Sequence, residues 1–229
     1  MNNWLKFVGI ILLIFLTIGC TDSENTDDTI EEVTSVADKP PEYNRDLVRN
    51  YEIIETTDDP WGDAIRKQYR VIIPSNITKE ELKSTLIQII VDETSENNNI
   101  DAICIFAYDR KEDVNGAYTF GTVDWCPNGN WGDVTSEIAK TNDRTTYEYV
   151  FRIKDKVGNE NIERPTDLEF EIDDYYSECS DAEWDKIDLS DPYAIVDEDV
   201  IYQKVADKYG ITKEEAEDIC IKVTIYKMK

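Results

Sequence analysis

The sequence predicts an α+β fold, a mixed or mainly antiparallel sheet with helices packed on one face. Three observations predict it. Runs rich in β-branched and aromatic residues recur along the chain with period-two alternation. A capped, amphipathic helix interrupts them early. Two further helical patterns come near the end of the chain, and no internal repeat is present.

The elements follow in order. Tyr51 to Glu55 (YEIIE) reads as a first strand, and Gln68 to Ile73 (QYRVII) as a second that Pro74 stops. Thr78-Lys79-Glu80-Glu81 has capping-box spacing, and the helix it opens places Leu82, Leu86, Ile89 and Ile90 on one face. The polar run SENNN from Ser95 ends it. Asp101 to Tyr108 (DAICIFAY) is apolar beyond its first residue, as a central strand covered on both faces must be. Asn115-Gly116 supplies hairpin turn chemistry before AYTFGTVDW, which begins at Ala117. In Thr145 to Ile153, the residues Tyr147, Tyr149, Phe151 and Ile153 share a strand face. Leu168, Phe170 and Ile172 alternate again as a strand, and residues 174–195 read as a surface excursion. A helix is expected over Glu198 to Tyr209, with a shorter one from Thr212. Ile219, Ile221, Val223 and Ile225 alternate as a closing strand.

Composition narrows the chemistry. The chain has 229 residues, with 50 Asp+Glu against 24 Lys+Arg and a formal net charge of -26. Such a surface repels nucleic acid and offers no basic patch to an anionic bilayer. Histidine is absent, which removes Ser-His-Asp and Cys-His catalysis, HExxH peptidases and His-ligated metals. No cofactor or metal is expected. The carboxylate groups Glu169-Glu171-Asp173-Asp174 and Asp197-Glu198-Asp199 do not follow the EF-hand loop and read as a solvated acidic face.

The N-terminus carries the most specific signal. Lys6 precedes an uncharged apolar run, Phe7 to Gly19, of 13 residues. That length fits a signal-peptide core of roughly 7–15 residues and falls short of the ~20 needed to cross a bilayer. Thr17-Ile18-Gly19-Cys20 resembles the lipobox of bacterial lipoproteins, with Gly19 as the small residue before the cut and Cys20 as the acceptor thiol. Thr17 stands where such sites usually carry leucine, and Leu16 lies one position early. The resemblance implies removal of residues 1–19, fatty acylation (palmitate) of Cys20 and a membrane-anchored protein on the extracytoplasmic face. From Thr21 to Lys39 there are seven acids and one base, so residues 20–44 are expected to be an acidic, disordered tether. Residues 45–229 then form a single domain.

Within that domain DWCPNGNWGD, Asp124 to Asp133, is the most distinctive stretch. Trp125 and Trp131 flank a Pro-Asn-Gly-Asn turn; they either stack on a protein or glycan ligand beside Asp124 and Asp133, or fold back over the sheet end. With YRVIIPSNITKEELKSTLIQII it is similar to a small family of uncharacterised bacterial domains, over Gln68 to Asp133. That resemblance implies a compact α+β domain and no defined activity. Cys104, Cys126, Cys179 and Cys220 permit two disulfides of undetermined pairing, or serve as small buried hydrophobes. Val205 to Ile219 has the outline of a helix-turn-helix, but Gly210 as a helix stop and Thr212 with Glu215 as a cap explain the same residues. The functional expectation is an anchored envelope lipoprotein displaying a non-enzymatic binding domain. The alternatives are a carboxylate-dependent glycan hydrolase and the solute-binding part of an importer.

Overall fold

A parallel strand pair needs a crossover, and the capped helix supplies it. In the computed structural model, which describes residues 30–35, 43–187 and 195–229, strand β3 (Ile65–Ile72) runs into helix α1 (Lys79–Glu96) and back to β4 (Ile100–Tyr108), which lies parallel to β3. Strand β2 (Glu52–Asp58) pairs antiparallel on the outer side of β3. Strands β5 (Gly121–Pro127) and β6 (Tyr147–Ile153) extend the sheet antiparallel beyond β4. The mixed sheet thus runs β6-β5-β4-β3-β2, and Ile30–Ser35 (β1) lies antiparallel along β6 as a further strand. That strand falls inside the stretch expected as a tether; the rest of residues 20–42, and the signal segment with Cys20, lie outside the described residues.

The α+β class holds. Thr78 accepts from the backbone of Glu81, and the Glu81 side chain accepts from the backbone of Thr78, which closes the capping box. One face of α1 sends Leu82, Leu86, Ile89 and Ile90, all fully buried, against Tyr69 and Val71 of β3, Ile103 and Ile105 of β4, Val123 of β5 and Tyr149 and Phe151 of β6. Each of these aliphatic side chains, fully buried, contributes roughly 1.5–3 kcal/mol. The central position of β4 accounts for its apolar sequence. The β4–β5 connection is longer than the Asn-Gly turn implies and contains the 3-10 turn Lys111–Asp113.

The stretch 45–229, expected as one domain, divides after Gly158 into two clusters of contacts, Met1–Gly158 and Asn159–Lys229. The second is all helical: α3 (Asp167–Trp184), α4 (Glu198–Tyr209) and α5 (Lys213–Met228). A short helix, α2 (Ser136–Thr141), belongs to the first.

Three expectations are corrected here. Leu168, Phe170 and Ile172 lie in α3, not in a strand, and much of the expected excursion continues the same helix, with residues 188–194 outside the described residues. Ile219, Ile221, Val223 and Ile225 lie in α5, where the buried positions are Ala216, Cys220, Val223 and Tyr226. Those have helical spacing, and the alternating Ile221 and Ile225 are exposed. Helix α1 packs on one face of the sheet, as expected, and within the second unit α3, α4 and α5 bury Ile172, Val205, Ala216 and Cys220.

Candidate functional site

Alternation along β5 decides the fate of the expected site, because neighbours on a strand point to opposite faces. Trp125 packs with the α1-side core and stacks on Tyr147, ring centroids 4.6 Å apart. Asp124 points to the other face, where its carboxylate accepts from Arg152 Nη1 at 2.6 Å. That carboxylate pushes the Arg152 guanidinium pKa further up. Trp131 reaches this second face as well, beside Ala64, Ala102, Cys126 and Val134. The structure therefore separates the two tryptophans. Asp133 accepts from the side chains of Asn128 and Asn130, both at 3.0 Å, and so fastens its own turn. Gly129 has φ +63, and a Cβ there would stand 2.4 Å from Val150 Cγ2, so the turn lies directly on the sheet.

What joins Trp131 is a residue the sequence reading passed over. The β2–β3 connection, Asp59-Pro60-Trp61-Gly62-Asp63, makes a tight tip in which Trp61 and Ala64 exchange backbone hydrogen bonds of 3.1 and 3.0 Å. Gly62 at φ +61 sits against Ser136 Oγ, which accepts from the Asp63 amide at 3.1 Å. The Arg66 guanidinium lies 5.7 Å from the Trp61 ring centroid and 5.1 Å from that of Trp131. Asp59 holds it in turn, through its carbonyl oxygen at 2.8 Å and its carboxylate at 2.7 Å. The result is a fixed assembly of two indoles on one cation. A shallow cavity of about 330 Å³ shares Arg66 with this assembly and is lined also by Asp58, Pro60, Ile65, Lys67 and Asn97. The signal for it in the sequence was DPWGD, a turn-forming stretch carrying a tryptophan between two strands.

Cys104, Cys126, Cys179 and Cys220 are free thiols and buried, none bonded to another. Burial pushes Cys126 and Cys220 up to about 12 and raises Cys104 further, with the Asp124 charge acting in the same direction on Cys104 and Cys126. Thiols so protonated are poor nucleophiles and poor metal ligands. Among the described residues no group of three His, Cys, Asp or Glu side chains is placed to hold a metal ion. Asp101, buried at the start of β4, accepts from the Ile65 amide at 2.8 Å and from Arg144 Nη2 at 2.6 Å, and so ties strand ends together. At the opposite end of β4, Asp109 and Lys156 form a buried pair at 3.9 Å, with Thr119 donating to Asp109 at 2.6 Å.

No protein-family model, curated protein or solved structure matches this chain.

Proposed function

We propose that this chain is a lipid-anchored envelope protein that displays a binding module on an acidic tether. The single observation that carries the anchor is the order of Lys6, the uncharged run Phe7 to Gly19, Cys20 and the acidic stretch after it. Among the described residues no helix is long and apolar enough to cross a membrane.

The geometry supports binding over hydrolysis. A glycan hydrolase of the paired-carboxylate type needs one carboxyl with a raised pKa to act as acid. Among the described residues, the carboxyls of Glu81, Asp143, Glu169 and Glu183 are held below their ordinary values, through backbone or lysine hydrogen bonds. The sheet-face acids Glu55, Asp59 and Asp124 each bridge an arginine. The two-indole assembly has the rigidity expected of a recognition surface.

Labelled palmitate fed to a bacterium expressing the full chain tests the anchor. The wild type is expected to take up label and to sediment with membranes. Cys20→Ala is expected to lose both, and undiminished labelling of that variant refutes the proposal.

A further inference from the structure

Trp61 is 64% exposed, while the other exposed large apolar residues among the described residues of its unit, Ile53, Ile54 and Ile65, reach only 37–38%. The indole is nevertheless not loose. Its backbone is closed by the Trp61–Ala64 hydrogen bonds, the tip is fastened to Ser136, and Lys140 reaches Asp63 at 3.5 Å. Behind the ring stands Arg66, itself locked by Asp59. Water disfavours a bare indole, and this tip holds one out in a fixed pose. Rigid presentation of apolar area lowers the entropy lost on binding.

The surroundings select the occupant. The core of a protein–protein interface is depleted of charge. Here the connection that carries the indole is rich in acids, Asp58, Asp59 and Asp63, with Lys67 and Lys140 bridging the first and the last. A net charge of -26 also disfavours anionic ligands. A pyranose ring matches both features: its C–H face is apolar and stacks on an indole, and its rim of hydroxyls both donates and accepts.

We infer that the β2–β3 tip is a site for uncharged glycan, with Trp61 as the stacking platform. Arg66 and Trp131 are positioning residues that hold the platform. The inference rests on the binding-module reading above, and the two fail separately. Palmitate labelling that persists in Cys20→Ala removes the anchor and leaves glycan retention untouched. Absence of retention removes the glycan site and leaves the anchor.

The test uses the detergent-solubilised full chain and three insoluble probes: cellulose, poly-N-acetylglucosamine and peptidoglycan sacculi. The wild type is expected to be retained on at least one. Trp61→Ala is expected to bind it about tenfold more weakly or worse, with an unchanged circular dichroism spectrum. Trp61→Phe, which keeps a smaller ring, is expected to fall between. Titration with the soluble tetrasaccharide of N-acetylglucosamine or of glucose, whichever matches the retaining solid, is expected to shift indole emission in the wild type and not in Trp61→Phe. Wild-type protein retained on none of the three, or equal retention of Trp61→Ala, overturns the inference.

Discussion

The sheet unit and the helical unit solve the burial problem with different side chains. Around α1 the core is mostly aliphatic, with Leu82, Leu86, Ile89 and Ile90 meeting Val71, Ile103, Ile105 and Val123 across contacts distant in sequence, and Tyr69, Phe120, Tyr149 and Phe151 as its aromatic members. In the helical unit, tyrosines do much of the same work. Tyr176 stacks on Tyr202 at 4.8 Å, Tyr175 meets Tyr209 edge-on at 5.9 Å, and Phe170 meets Tyr226 likewise at 5.9 Å. Burial raises the Tyr176 and Tyr202 hydroxyls, and Tyr209 is pushed up to about 12 by burial and the Glu171 hydrogen bond. A tyrosine body buries apolar area while its hydroxyl keeps a polar partner, so it suits thin helical cores in an acidic chain. The lesson is that apolar spacing carries information only when the apolar residues are the buried ones.

The largest test of this contrast is Leu86→Ala. Leu86 is fully enclosed between α1 and the sheet, and its truncation is expected to cost about 3 kcal/mol, read as lost hydrogen-exchange protection of β3 to β6 amides. A loss under about 1 kcal/mol would mean that the sheet core is not close-packed. A smaller, sharper test lies in α5. Val223→Ala is expected to destabilise the helical unit by about 2 kcal/mol and Ile221→Ala by less than about 0.5, because Val223 is buried and Ile221 is 47% exposed. Equal effects would contradict the helical face assigned to α5.

Capping boxes occur in both units, which makes them an internal control. Thr78→Ala on α1 and Thr166→Ala on α3 are each expected to cost about 1 kcal/mol, measured by denaturant titration of each variant. The smallest effect concerns acid. Lys222, and then the Thr166 backbone, hold the Glu169 carboxyl below its ordinary value of 4.5. Its stabilisation is therefore complete above that value and is lost as pH falls through the depressed one. Helical ellipticity is expected to weaken over that acid range, and Glu169→Gln is expected to flatten part of the slope. An unchanged slope would remove the Glu169–Lys222 bridge as a contributor.

The sheet unit was largely legible. The capping box at Thr78, the stripe Leu82-Leu86-Ile89-Ile90, the central strand and the Tyr147-to-Ile153 alternation all record burial faithfully, because each side chain concerned meets the same core. The helical unit was half legible. Glu198 to Tyr209 was clear, with Gly210 closing it. At Leu168-Phe170-Ile172, period two won over a capping box, Thr166 to Glu169, that was present in the sequence. Leu168 is exposed, so its place in the alternation reflected no packing. In the expected site, Trp125 and Trp131 looked paired by proximity in sequence, yet six residues of strand and turn carried them to opposite faces.

By itself, the sequence determined the acidity, the exclusion of histidine chemistry and the α+β class, since all of these depend on local order or composition. Only the tertiary structure decided which tryptophan keeps company with which. Trp61 and Arg66 are neighbours on a hairpin, but Trp131 is far along the chain and arrives through a turn folded onto the second sheet face. The physical reason is that strand pairing and β-turns bring together residues distant in sequence, and period-two alternation then assigns each to a face. A single-residue change of register would have exchanged the faces to which Asp124 and Trp125 point.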